Sequence, residues 1–311
     1  MGSCALALWV LLGTAAPADT FALNGAIEPR GQAVVWLYGA TTSFSAYTMA
    51  DLGGRFHFGG IRPGTYTLTV VTGGHGEWRQ TVDVGPGAAD AKGRVNVAVR
   101  IDEAKTLADR ANVVSARELA IPNAARREYG RAEKRLSKHD VDGAIVHLRR
   151  ATEIAPQFSA AWNSLGIIAY HAQKYSEAEQ DFRTSLAADP DLYAPLVNLG
   201  GVLLNLQRYD EAWSFNKLAV LKQPNDPLGH AQLGIACAGV GKLADAEAEL
   251  REAIRLDPRH FTNPQVVLAD VYEREGKTHE AADILDQFLR LHPDFGQMAQ
   301  IRERIARLRA Q

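Results

Sequence analysis

Cysteine is nearly absent: 311 residues contain two, Cys4 and Cys237, and the first falls in a segment expected to be removed. No disulfide framework can then hold the fold together. An excess of charge of one sign is missing too, since 34 Lys and Arg against 36 Asp and Glu leave a formal −2 and a pI near 6.5. Nucleic acid as a partner is thereby disfavoured, because it calls for a basic stripe or a strongly basic domain. The apolar run from Ala5 to Ala16 covers about 12 residues against the roughly 20 that a bilayer-spanning helix needs, so no transmembrane span is expected. Catalytic signatures are lacking as well. The nine histidines form no H-E-x-x-H or H-x-H and none stands beside a Cys at metal spacing. No G-x-S-x-G occurs, and "GGVLLN" and "GGHGEW" lack the spacing that cradles phosphate. His139 and Asp140 in "KHDVDGA" read as turn residues rather than a metal pair, and Cys237 reads as a buried inert thiol. No catalytic residue, metal ligand or cofactor is expected, and the chain does not read as an enzyme.

What is present begins with "MGSCALALWVLLGTAAPAD". Its apolar stretch ends in Ala16, Pro17, Ala18, a small-x-small pattern that a signal peptidase accepts, although no Lys or Arg precedes the stretch. Residues 1–18 are read as a signal peptide, and the mature chain as exported, periplasmic or secreted.

From Phe21 to Ile101 short runs rich in Val, Thr, Tyr, Phe and Trp are bounded by Gly, Pro or Asp, the pattern of an all-β sandwich. Alternation puts Phe56, Phe58, Tyr66, Leu68 and Val70 inward and His57, Thr67 and Thr69 outward; Trp36 is read as core with Phe56 and Tyr66. In "DLGGRFHFGGIRPGTYTLTV", Gly53 and Gly54 suit a tight hairpin, and Pro63 and Gly64 suit a type II turn. This stretch resembles the carboxypeptidase regulatory-like family, relatives of transthyretin-like and collagen-adhesin B-type sandwiches, over roughly residues 19–101. Some of these relatives carry a Lys to Asn isopeptide bond. No lysine precedes Lys92, so that bond to Asn96 is excluded here. The resemblance also extends at fold level to carbohydrate-binding sandwiches. Residues 102–124 read as a linker with an extended piece at Val113 to Ile121.

The remainder repeats. Pro156, Pro190, Pro224, Pro258 and Pro293 are separated by 34, 34, 34 and 35 residues. Ala144, Ala178, Ala212, Ala246 and Ala281 keep the same intervals, and such a period marks stacked helix-turn-helix units. The unit at 159–192 carries Trp162, Leu165, Gly166, Tyr170, Ala178, Phe182 and Pro190. It is identified as a member of the tetratricopeptide repeat family, with Tyr170 one place from its usual position. Five units follow from the period: 125–158, 159–192, 193–226, 227–261 and 262–295. Gly166 and Ala178 are expected where two helices come closest, and Ser176 with Glu179 as a capping box; Asp210 holds the cap position in the third unit and Thr278 stands one residue early in the fifth. Met298, Ile301, Ile305 and Leu308 predict a closing helix over 296–311 with Arg302, Arg304, Arg307 and Arg309 toward water.

The resemblance implies a concave groove lined by fixed positions of each first helix. Carried onto this chain, they are Arg126, Tyr129, Glu133, Asn163, Tyr170, His171, Asn198, Asn205 and Asp270. Amides and aromatics in that mix suit an extended or helical peptide. The two-carboxylate clamp of chaperone-tail grooves lacks its basic residues, since Leu228 and Gln232 stand there. Two functions stay open: an exported scaffold that binds protein partners in the groove with the sandwich as tether or spacer, or an envelope protein whose sandwich binds carbohydrate or peptidoglycan. Exposed aromatics near Trp78 or Tyr47 would favour the second.

Overall fold

The computed structural model describes residues 20–72, 76–101, 117, 120–293, 295 and 297–311. The expected signal peptide and most of the expected linker lie outside the described residues. Seven strands come first: β1 (Phe21–Glu28), β2 (Ala33–Gly39), β3 (Ser45–Met49), β4 (Arg55–Ile61), β5 (Gly64–Thr72), β6 (Gly76–Val84) and β7 (Arg94–Arg100). They form a three-stranded sheet, β4-β1-β7, and a four-stranded sheet, β3-β2-β5-β6. β1 runs parallel to β7, and the other pairings are antiparallel. Leu23, Ile27, Val35, Leu37, Leu68, Val70 and Val99 fill the core between the sheets.

Two expectations for this region need correction. β3 and β4 lie in different sheets, and so do β4 and β5; the Gly53–Gly54 and Pro63–Gly64 segments therefore cross between sheets and close no hairpin. Gly54 does adopt a positive φ of 75°, and a Cβ there would meet the Ile27 carbonyl oxygen at 2.8 Å. Near Pro63 the left-handed residue is Gly60 (φ 70°), while Gly64 already belongs to β5. Trp36 is also displaced from its expected place. Ala33, Val35 and Leu37 take the inward positions of β2, so the two-residue period turns Trp36 outward.

Eleven helices follow among the described residues, paired into five units and closed by one more. They are α1 (Asn123–Leu136) and α2 (Val141–Ile154), α3 (Ser159–His171) and α4 (Tyr175–Ala188), α5 (Tyr193–Asn205) and α6 (Tyr209–Lys222), α7 (Pro227–Gly239) and α8 (Leu243–Leu256), α9 (Pro264–Arg274) and α10 (Thr278–Leu291), then α11 (Met298–Arg309). Each second helix stops two residues before a proline of the repeat, whose ring cannot follow a continuing α-turn. The turn inside each unit carries a second mark. His139, Gln173, Gln207, Gly241 and Gly276 all have positive φ, one per unit.

The side-chain caps sit elsewhere than expected. α4 opens at Tyr175 with no side-chain cap, leaving Ser176 inside its first turn, and Asp210 and Thr278 likewise fall within α6 and α10. The left-handed residue ends each turn early, so the helix starts before Ser176 and Asp210 and at Thr278 itself. Glu179 instead pairs with Arg183 at 2.8 Å and Arg208 at 2.7 Å. The caps that form are Asp140 to the Gly143 amide and Asp226 to the Leu228 amide, both 2.9 Å. In α11, Ile301, Ile305 and Leu308 are buried, but Arg304 does not face water. It holds Asp270 at 2.5 Å and Glu273 at 2.7 Å.

Within a pair, a small residue on the first helix faces a larger one on the second. A Cβ on Gly166 would lie 2.6 Å from Phe182, and one on Gly234 would lie 2.6 Å from Leu250. In the third unit the large partner is Asn216, fully buried, with neither its Oδ1 nor its Nδ2 hydrogen-bonded. An unmade hydrogen bond at a buried amide costs about 1–3 kcal/mol. Asn216→Leu, which copies Leu250 of the next unit, is expected to raise stability by about that amount, seen as a higher urea midpoint at unchanged slope. A lower midpoint would show that the amide is satisfied in solution.

Candidate interaction groove

The first helices of successive pairs lie side by side, so residues about one repeat apart meet across them. Asn198 of α5 donates to Asn163 of α3 at 3.0 Å. Asn205 donates to the Tyr170 hydroxyl at 3.0 Å and to the Gly201 carbonyl at 2.9 Å. Tyr129 of α1 meets Ser164 of α3, hydroxyl to hydroxyl, at 3.4 Å. Six of the nine sequence-picked groove residues are thus in one run across α1, α3 and α5 or beside it: Tyr129, Asn163, Tyr170, His171, Asn198 and Asn205. Burial shapes their chemistry. It pushes the Tyr129 hydroxyl up to about 12 and the His171 imidazole down to about 4, so these two present neutral hydrogen-bonding groups beside the amides, and it raises the Glu133 carboxyl above its ordinary value. Of the remaining three, Glu133 follows Tyr129 on α1, Arg126 is exposed and bonds the Ile121 carbonyl at 3.1 Å, and Asp270 is held by Arg304 of the closing helix.

A second set of contacts was not legible in the sequence. Arg79 of β6 reaches Asp226 at 2.5 Å. The same carboxylate accepts the Tyr193 hydroxyl at 2.6 Å while capping α7. Two residues along β6 the Thr81 amide donates to Asp257 at 3.1 Å, and Asp83 stands 3.6 Å from Arg259. Beside the opposite edge strand of the sheet, Phe44 stacks on His139 with ring centroids 4.7 Å apart. The sandwich is therefore docked on the helical array at both edges of its larger sheet. Thr69 and Thr81 point away from the sandwich core yet are only 2% and 8% exposed, because this part of the sheet is covered. His260 is buried beside Asp226 and Asp257; burial holds its imidazole below the ordinary value against the pull of both carboxylates. No local signal in the sequence marks these aspartates as contacts.

The part of that sheet face toward β3 is open. Trp36 stacks on Tyr38 with centroids 5.7 Å apart and planes within 4°, and it meets Tyr47 at 4.8 Å. Tyr47 is 61% exposed, whereas Trp78 is in the core. For chemistry of other kinds the described residues offer little. No group of three or more His, Cys, Asp and Glu among them is placed to hold a metal, and burial pushes the Cys237 thiol up to about 11. No described helix is long and apolar enough to cross a membrane.

Family models of the tetratricopeptide repeat match residues 122–193, 169–233 and 266–299. Over 157 residues the chain is 27% identical to the type IV pilus assembly protein PilF of Pseudomonas aeruginosa, covering 49% of this chain and 61% of that protein. Over 177 residues it is 33% identical to the cellulose synthase 2 operon protein C of Komagataeibacter xylinus, covering 51% of this chain and 13% of that protein. The chain spans less than two thirds of the length of the curated relatives it matches. Among solved structures, PilW, described as a widely conserved type IV pilus biogenesis factor, superposes with a TM-score of 0.54 at 20% identity, over 61% of this chain and 87% of that one. At that identity the likeness is one of fold.

Two measurements check this geometry. Arg79→Ala removes one of three partners of a buried carboxylate and is expected to cost about 1–3 kcal/mol and to speed hydrogen exchange at the Thr81 amide; unchanged exchange would mean that the docked arrangement does not depend on the pair. His171 is neutral in the fold, while in the unfolded chain it titrates near its ordinary value of about 6.5. Stability present above that pH is therefore lost as pH falls toward the lowered value. His171→Gln is expected to show a shallower fall in urea midpoint between about pH 7 and pH 5 than the parent.

Proposed function

We propose that this chain, a member of the tetratricopeptide repeat family through its helical array, is a non-enzymatic scaffold that holds a protein or peptide partner in the groove formed by its first helices. The observation that carries this reading is the amide and phenol ladder: Asn163 with Asn198 and Tyr170 with Asn205, each at 3.0 Å. These groups are neutral and bonded to one another, so an incoming peptide backbone can exchange with them without stripping a charge of water. The docked sandwich serves as tether or spacer, held in a set orientation by Asp226 and Asp257. Export, to a periplasmic or secreted location, is supported by the apolar stretch ahead of Ala16-Pro17-Ala18. The names of the relatives, a pilus assembly protein and a cellulose synthase operon protein, accord with work in an assembly.

A second reading is favoured by one observation. Exposed Tyr38 and Tyr47, with the half-buried Trp36 against both, offer an aromatic platform on the sandwich, a surface on which the apolar face of a sugar ring can stack. A glycan contact would then belong to the sandwich and a protein contact to the groove.

Losing an amide that pairs with a buried backbone group costs about 1–3 kcal/mol, up to tenfold or more in affinity. Asn163→Ala combined with Asn198→Ala is expected to remove most partner retention in pulldowns from envelope extract while helical circular dichroism stays intact. Trp36→Ala with Tyr47→Ala is expected to leave that retention unchanged and to weaken capture on insoluble polysaccharide. Loss of the protein partners from the aromatic variant and not from the amide variant would sink the scaffold reading.

A further inference from the structure

In a repeat array the face of each first helix that looks toward the preceding pair is apolar, since the neighbour covers it. In α5 that face shows Leu199, Val202 and Leu203, and in α3 it shows Leu165, Ile168 and Ala169. The equivalent positions of α1, one repeat earlier, are Arg131, Lys134 and Arg135, and Lys138 stands in the turn that follows. All four are exposed. With His147 of α2 they line a cleft of about 440 Å³.

An open end of a solenoid has to be polar to stay soluble, but solubility does not require one sign of charge. Here every one of the four positions is cationic. Glu128 at the base accepts from Arg131 and from His147 at 2.7 Å, and Asp140 pairs with Arg135 at 2.8 Å. Among the described residues no carboxylate pairs with Lys134 or Lys138. The two arginines are thus anchored in place and the two lysines project as uncompensated positive charge. We propose that this cleft at the first end of the array docks an acidic segment of a partner protein, whose carboxylates are received by Lys134 and Lys138. From Arg131 to Arg135 α1 rises about 6 Å and Lys138 follows in the next turn, a span over which carboxylates on alternate residues of an extended chain, about 7 Å apart, can each meet a cation. A chain whose overall charge is −2 and whose basic surface here is one helix long suits a short acidic peptide better than a nucleic acid, which rewards a long phosphate-tracking stripe. The site goes beyond the groove reading and does not rest on it.

The test uses the full chain and a fluorescein-labelled hexaglutamate peptide followed by anisotropy. The parent is expected to bind, more weakly as salt is added. Lys134→Glu with Lys138→Glu is expected to lower affinity by about tenfold or more, with circular dichroism unchanged because both residues are exposed. Lys134→Arg with Lys138→Arg keeps binding. Lys92→Glu with Arg302→Glu, an equal change of charge elsewhere on the surface, also keeps it, and so does Asn163→Ala with Asn198→Ala. No binding by the parent, or an equal loss in the Lys92 and Arg302 variant, overturns the proposal. Capture of anionic phospholipid vesicles without hexaglutamate binding overturns it in favour of a lipid surface.

Discussion

The distance between the two helices of a pair sets the rest of the helical array. It is fixed by a small residue facing a large one: Gly166 against Phe182 and Gly234 against Leu250, where even a Cβ would intrude to 2.6 Å. Helices held that close cannot shift relative to one another without loss of packing. Each pair is then a rigid wedge, and the proline and left-handed turn residue at fixed intervals ensure that successive wedges add in register. Only with that register do Asn163 and Asn198, far apart in the chain, come within hydrogen-bonding distance. The groove is a consequence of the pair distance, repeated.

Asp226 performs the equivalent task between the two architectures. One carboxylate starts α7, accepts from Tyr193 and takes Arg79 from the sandwich. Burying an ion pair adds little net stability compared with apolar packing, since desolvation offsets attraction, but a buried carboxylate left without a partner is costly. Such a contact therefore penalises other orientations more than it stabilises the observed one. Its effect on the sandwich is asymmetric. Thr69 and Thr81 are covered, while Trp36, Tyr38 and Tyr47 on the same sheet face remain open. The exposed aromatics are thus what remains of a face half used for docking.

Three surfaces of different chemistry result: a neutral groove, an aromatic platform and a cationic end. Their separation follows from position in the array. Interior first helices spend their apolar faces on neighbours and present amides and phenols at the groove. Among the described residues no helix pair precedes the first one, and the same repeat positions there are exposed and carry charge instead.

Much of the fold was legible in the sequence because its signals are periodic. The recurrence of Pro and Ala reported helix pairs directly, since each unit must solve the same packing and chain-reversal problem. Alternation reported strands and, for Phe56, Phe58, Tyr66, Leu68 and Val70, the buried face. Where reading failed, the cause was non-local. Trp36 was misplaced because an aromatic in a strand looks like core until the register assigns its face. Gly53–Gly54 looked like a hairpin and Pro63–Gly64 like a type II turn because local chemistry does not say which sheet the next strand joins. Ser176, Asp210 and Thr278 looked like caps because a left-handed residue at Gln173, Gln207 or Gly276 is not visible in composition. The sequence by itself determined the sandwich, the helix pairs and their period, since these rest on local spacing and on each unit burying its own seam. The tertiary structure alone decided that Arg304 closes on Asp270, that Asp226 and Asp257 receive β6, and which aromatics stay exposed. Those contacts join residues tens to more than a hundred positions apart, and their energy comes from desolvation and charge pairing that no single segment carries.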